Sequence, residues 1–557
     1  MNETQRKVFA SAISVFFAVG AVLLASLVWS LANTQPEIAS SRGQVRGIHL
    51  DVYGVPVTAY LGVPYGNPLT GIDRFRPARP KEPWAGTFVA DTPAPACPQT
   101  LDTTFPGFAG SEMWNPPTQS EDCLKLNIWA PTDSTDVLPV MVWIFGGGFF
   151  SGSPSLPIYD GQILAAFGGV VVVNINYRLS AMGFLYLNTS SAPGNVGLLD
   201  QQLALQWIQD NIARFGGDPD KVTIFGESAG AISVSAHLAA PGSQDLFQHA
   251  IMQSGSFQHS FGCLPNQRVL QTSKYLAGLL GCNREDYSDE DMTTCMSNLP
   301  VEELLEGVGK IQMNVLDFPF LPICEDGAFF TENPRDALIS GNVKKTSILG
   351  GVVKDEGSFW LPYYLPKFFD NETEGFLTKE HYQESMQTIF QGYFNHTAIE
   401  QISEYYGGKC RSEKCFRDNL SEAIGDFWFV CNMTSFLNTY QKLEFGPVFS
   451  YELQKRISSN PWPEWMGAMH GYDVEYIFGI PYFNQTEYTK EDREFSSLIM
   501  QYWVSFATTG RVVPAEEWPA MDKPDGIYLE FGNEENKLQT RLKVDACNFW
   551  KRLQSLS

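Results

Sequence analysis

The 557-residue chain is 44% hydrophobic and 13% aromatic, enough apolar material to bury a large core, which excludes a disordered protein. Its formal net charge is -24, without the clustered Lys and Arg that neutralise phosphates, which excludes a nucleic-acid partner. The acidity instead favours cationic partners, or serves only to keep an exported protein soluble.

At the N-terminus, Arg6 and Lys7 precede a charge-free apolar run from Val8 to Ala32 that ends in the small-x-small pattern Ser30-Leu31-Ala32. Residues 1–32 therefore read as a signal peptide or, since the run is long enough to span a bilayer, a signal anchor. Both readings place the remainder outside the cell, on a membrane only if this segment stays uncleaved. No linker, repeat or low-complexity tract divides residues 33–557, which read as one large domain. Sequons at Asn188, Asn371, Asn395, Asn419, Asn432 and Asn484 fit export as glycosylation sites. The ten cysteines fit it as disulfides, with Cys410 and Cys415 close enough to bridge locally.

The first strong element is Leu138 to Phe145, LPVMVWIF, an uninterrupted apolar run that predicts a strand buried on both faces of a largely parallel sheet. Gly146, Gly147 and Gly148 follow it, giving the sharp turn with exposed N–H groups that an oxyanion hole needs. Gly169 to Tyr177 predicts a second buried strand, and Gly194 to Pro219 carries helical periodicity closed by glycines. Lys221 to Phe225 then leads into Gly226-Glu227-Ser228-Ala229-Gly230, and AISVSAHLAA after it reads as a small-residue helix. A serine at a strand-to-helix turn between glycines is the arrangement of a nucleophile, its Oγ held clear of the sheet.

A serine hydroxyl attacks at neutral pH only when a base takes its proton, so an acid and a histidine are expected downstream. Thr346 to Val353 predicts a strand ending at Asp355 and Glu356, either of which fits the acid. Of the seven histidines, His381, His396 and His470 come later. His381 lies in a polar stretch and His396 inside a sequon, leaving His470, flanked by aromatics and Gly471.

In chain order, GSEMWNP, SEDCLKLNIW, WIFGGGFFSG, APGNVGLLDQ, FGGDP, TIFGESAG, KDEGSF and WPEWMGAMHGY make the chain closely resemble the cholinesterase and carboxylesterase family, nearest its acetylcholinesterase members, over roughly residues 40 to 552. The resemblance implies an α/β-hydrolase fold and a serine esterase that hydrolyses choline esters, most of all acetylcholine, through an acyl-serine and without cofactor or metal. It assigns Ser228, Glu356 and His470 as the catalytic residues and Gly147, Gly148 and Ala229 as oxyanion donors. Trp114, Glu227, Tyr159 and Phe359 match choline-binding positions, Asp102 and Tyr363 the mouth of a gorge, and Leu316 and Phe318 an acyl pocket. It pairs Cys97 with Cys123, Cys282 with Cys295, and Cys431 with Cys547, leaving Cys263, Cys324, Cys410 and Cys415 outside the pattern.

The chain departs from the family where Met313 stands for a peripheral-site tryptophan, Thr100 for a mouth tyrosine and Asp473 for a glutamate. A broad carboxylesterase without cation selectivity is the alternative those departures favour. A non-catalytic adhesion ectodomain is the reading that an intact Ser228, Glu356 and His470 set opposes. The chain ends at NFWKRLQSLS with neither the oligomerisation helix nor the lipid-anchor tail of many relatives, so the expected form is soluble or signal-anchored, with a homodimer left open.

Overall fold

The computed structural model describes residues 36–132, 134 and 136–555. The expected targeting segment, residues 1–32, and its cleavage after Ala32 lie outside the described residues.

The main sheet has eleven strands. In chain order they are β1 (Ile48–Val52), β2 (Val55–Pro64), β3 (Lys125–Pro131), β4 (Leu138–Ile144), β5 (Val171–Ile175), β6 (Gly217–Glu227), β7 (His249–Gln253), β8 (Ile348–Val353), β9 (Val448–Leu453), β10 (Ile527–Phe531) and β11 (Asn536–Thr540). Their order across the sheet is β11-β10-β9-β8-β7-β6-β4-β5-β3-β2-β1. Pairing is parallel from β10 through β5 and antiparallel at the two edges. The fold is thus the expected α/β-hydrolase one. The apolar runs read from the sequence form its centre: Val140–Ile144 and Val171–Ile175 are buried throughout. At about 1.5–3 kcal/mol for each buried Val, Ile or Leu side chain, burial on both faces fixes these strands at the middle of the sheet.

Helices cover both faces. Those nearest the chemistry are α1 (Val196–Asn211), α2 (Ala229–Ala239) and α3 (Lys490–Thr509). A parallel sheet leaves its crevices at the carboxyl ends of the strands, where the connections to helices diverge. Here the loops after β4, β6, β8 and β9 open at that end, side by side.

Five disulfides staple the loops: Cys97–Cys123, Cys263–Cys324, Cys282–Cys295, Cys410–Cys415 and Cys431–Cys547. No described cysteine is free, the pattern of a protein made in an oxidising compartment. Among the described residues, no helix is long and apolar enough to cross a membrane.

Candidate active site

Ser228 sits between β6 and α2 with φ 55° and ψ -122°, a conformation that a residue with a Cβ adopts only when its surroundings impose it. Those surroundings are explicit. The Ser228 N–H donates to the Gln253 carbonyl at the end of β7, 2.8 Å away. Gly230 lies so close to the Ile144 carbonyl that an added Cβ would overlap it. The small residues of Gly-Glu-Ser-Ala-Gly thus let α2 press onto β4 and aim the serine out of the sheet.

The Ser228 Oγ is 2.9 Å from His470 Nε2, and His470 Nδ1 is 2.6 Å from Glu356 Oε2. All three residues are buried. Asp355 turns away: its Oδ2 accepts the Ala468 N–H at 2.9 Å, and its own N–H donates to the Ala468 carbonyl at 3.0 Å. The two adjacent acids therefore do different jobs, Glu356 touching the imidazole and Asp355 tying the loop after β8 to the loop that carries His470.

After β4, Gly147 and Gly148 take φ values of 99° and 60°, the left-handed region that favours glycine. A Cβ on Gly148 would lie 2.6 Å from the Phe150 ring. Among the described residues, the backbone N–H groups of Gly147, Gly148 and Ala229 have no acceptor within the protein. The last is also an orphan donor by position, at the first turn of α2.

These groups line a cavity of about 420 Å³. Trp114 and Glu227 form one side of its base, with Gly471 packed between them: a Cβ there would meet the Trp114 ring at 3.2 Å and Glu227 Oε1 at 3.7 Å. Tyr159 and Phe359 also line the cavity. Elsewhere in the lining, Phe318 packs against Gly148 and lies 5.0 Å from Phe150, ring to ring, and Leu316 also faces the cavity. At the entrance the Tyr363 hydroxyl donates to Asp102 Oδ2 at 2.8 Å. Asp102 and Trp114 ride on the loop closed by the Cys97–Cys123 disulfide, where the Asp102 N–H and carbonyl both bond the Asn115 side chain at 2.8 Å.

Three carboxylates crowd His470. Glu227 Oε1 is 3.2 Å from its Nε2, Glu356 bonds its Nδ1, and Asp473 lies buried on Gln253 Nε2 at 2.9 Å. Burial pushes the Glu227 carboxyl up to about 8, only partly offset by His470. Burial alone would lower the imidazole, but Glu227 first and Glu356 next carry it up to about 9. The two shifts belong to one titration, because a proton on Glu227 removes the charge that raises His470.

Sequence reasoning missed five rings of this cavity: Phe150, Phe261, Trp360, Tyr364 and Phe429. Phe429 lies 4.3 Å from the His470 ring and stacks on Trp360 at 5.9 Å. It is presented by a π-helical turn, Asp426–Val430, whose extra residue turns the side chain toward the site. Phe150 and Trp360 were legible as neighbours of Gly148 and Phe359, whereas Phe261 and Phe429 carried no signal. Thr100 lines the entrance, while Met313 lies outside the cavity on a separate surface.

Among the sequons, Asn188 and Asn395 are exposed and Asn371 and Asn484 half-buried. The side-chain nitrogens of Asn419 and Asn432 are engaged. Asn419 donates to the Tyr406 carbonyl at 2.5 Å, and Asn432 to the Phe427 and Trp428 carbonyls at 2.9 and 3.0 Å, groups that the π-helical turn frees.

The sequence profile of the Carboxylesterase family matches residues 34–550. The chain is 40% identical to the cholinesterase of Mus musculus over 542 residues, covering 95% of this chain and 89% of the mouse protein. It is 41% identical to acetylcholinesterase 4 of Caenorhabditis briggsae over 92% of this chain and 89% of that protein. It is 39% identical to the acetylcholinesterase of Bungarus fasciatus over 92% and 86% respectively.

Proposed function

The chain belongs to the carboxylesterase family of serine ester hydrolases, and on that premise we propose that it hydrolyses choline esters, acetylcholine foremost, to choline and the free acid. The observation that carries this reading is the pairing of the Trp114 ring and the Glu227 carboxyl at the base of a cavity that also holds Ser228. A quaternary ammonium donates no conventional hydrogen bond and is held best by an aromatic face and a nearby negative charge.

In this reading His470 takes the Ser228 proton as Oγ attacks the ester carbonyl, and Gly147, Gly148 and Ala229 donate to the oxyanion. The tetrahedral intermediate collapses, the protonated His470 gives its proton to the departing choline oxygen, and the acyl group remains on Ser228. Water, deprotonated by the same imidazole, then releases the acid. Glu356 holds the ring in the tautomer that presents Nε2 to serine and stabilises the imidazolium. Trp114, Glu227, Tyr159 and Phe359 hold the cation, Asp102 and Tyr363 guard the entrance, and Leu316 and Phe318 bound the acyl group.

The base must be neutral to act, so kcat/KM for an uncharged ester rises with pH through the titration of the free enzyme's His470. Removing the negative charge of Glu227 lowers the imidazole pKa. Glu227→Gln is therefore expected to move the acid limb of that profile to lower pH, and a move to higher pH contradicts the coupling drawn between these groups.

A broad carboxylesterase without cation selectivity is the second reading, favoured by the threonines Thr100, Thr103 and Thr104, which line the entrance beside Asp102 and offer a cation no aromatic face. Ionic strength separates the two. If the net charge of -24 steers a cationic substrate, kcat/KM for a choline ester falls as salt rises, while that of a neutral ester responds much less. Equal responses, together with equal turnover of both esters, support the broad reading.

A further inference from the structure

The wall of the cavity beside Gly148 is built from two segments far apart in the chain, and a disulfide outside the family pairing joins them. One segment follows β7 and carries Phe261; the other carries Leu316 and Phe318. Phe261 and Phe318 meet edge to face at 5.9 Å, and Phe261 also touches Phe429 at 6.0 Å. Two residues past Phe261, Cys263 is bonded to Cys324, which closes the second segment. Around that bond the segments pair: Leu264 N–H donates to the Pro322 carbonyl at 2.8 Å and Cys324 N–H to the Leu264 carbonyl at 3.0 Å.

Arg335, from the helix Pro334–Ser340, locks the junction from behind. Its Nη1 lies 3.5 and 3.6 Å from the sulfurs of Cys263 and Cys324, and its Nη2 donates to the His259 carbonyl at 2.9 Å. The His259 ring in turn packs on Phe261 at 5.3 Å and Phe429 at 5.9 Å. On the other flank, Asn195 brackets Ile323, donating to its carbonyl at 2.9 Å and accepting its N–H at 2.8 Å. Between Leu316 and Leu321 the chain forms no helix or strand. Asp317 is held by an ion pair with Arg268, and the Val315 carbonyl accepts from the Tyr393 hydroxyl at 2.6 Å, so these contacts anchor the N-terminal side of Phe318 and the junction at Cys324 anchors its C-terminal side, together setting its distance from Phe261.

We infer that the Cys263–Cys324 disulfide, with Arg335 behind it, is the positioning element that sets which acyl lengths the site accepts. Phe318 rests on Gly148, so an ester whose carbonyl oxygen points at the glycine N–H groups directs its acyl chain toward the Phe261–Phe318 contact. Holding those rings together limits the space; releasing the junction lets them part. The inference rests on the ester-hydrolase reading but not on the choline half of it.

The test compares wild type with C263A/C324A on 4-nitrophenyl acetate, butyrate and hexanoate and on acetyl- and butyrylthiocholine, with tetramethylammonium inhibition as an independent reading of the cation side. One methylene in an apolar pocket is worth about tenfold or more in kcat/KM, so the butyrate-to-acetate ratio is expected to rise about tenfold in the double variant. Tetramethylammonium affinity stays unchanged. A ratio that stays constant, or an equal loss for every acyl length accompanied by lost tetramethylammonium binding, overturns the inference and makes the disulfide a staple of the fold alone. If the double variant cannot be isolated folded, Arg335→Gln, which keeps the disulfide, must shift the ratio in the same direction, and an unchanged ratio counts against the inference. A wild type that cleaves the nitrophenyl series but not the thiocholines defeats the choline reading, while the acyl ratio still judges the disulfide.

Discussion

Replacing Ser228 with alanine is expected to lower ester turnover by roughly a millionfold and to abolish covalent labelling by organophosphates. The size of the effect follows from how the group is held. The strained backbone at Ser228 and the hydrogen bond of its N–H to Gln253 aim one hydroxyl at His470 Nε2, 2.9 Å away. Alanine keeps the backbone and the N–H groups of Gly147, Gly148 and Ala229 but has no atom to carry the acyl group. What remains is carbonyl polarisation and substrate binding, which leave a small activity over water. Turnover near the wild-type level would mean that the acyl group is carried elsewhere and would end the mechanism.

The second large effect separates two neighbours. Glu356→Gln is expected to cost roughly a thousandfold to ten-thousandfold, because an amide at His470 Nδ1 permits the wrong tautomer and offers no charge to the imidazolium. Asp355→Asn is expected to cost less than about tenfold, since an amide oxygen can still accept from Ala468 N–H. Burial already raises the Asp355 carboxyl to about 6, so little is lost with its charge. The comparison is made on kcat/KM at one pH with both variants folded, and the reverse order would identify the wrong acid.

The contrast between these acids also marks how far the sequence can be read. The buried strands were legible because runs such as LPVMVWIF have one stable home, the middle of a parallel sheet. Ser228 was legible because its turn needs glycines where they stand. Asp355 and Glu356 were not separable from the residues themselves, since both lie in one loop and only the path of the chain decides which carboxyl meets the imidazole; resemblance made that choice. Cys410 and Cys415 are near enough in sequence to suggest their bond, but the partners of the Cys263–Cys324 bridge are 61 residues apart, and only the fold brings them together. Phe429 was hidden for another reason. In DFWFV the residues after Asp426 are a run of consecutive apolar ones that picks out no single helical face, and the π-helical turn that redirects its side chains has no periodic signature.

Selectivity for the cation is the claim on which the proposed function stands, and Trp114 is where it can be measured. Acetylcholine and its uncharged isostere, with carbon in place of the quaternary nitrogen, fill the same volume and differ in charge. A cation over an aromatic face contributes on the order of 0.5 to 2 kcal/mol, so Trp114→Ala is expected to lose roughly twofold to thirtyfold more kcat/KM toward acetylcholine than toward the isostere. Equal fractional losses for the two substrates would make Trp114 a shape-filling residue and contradict the choline-ester assignment.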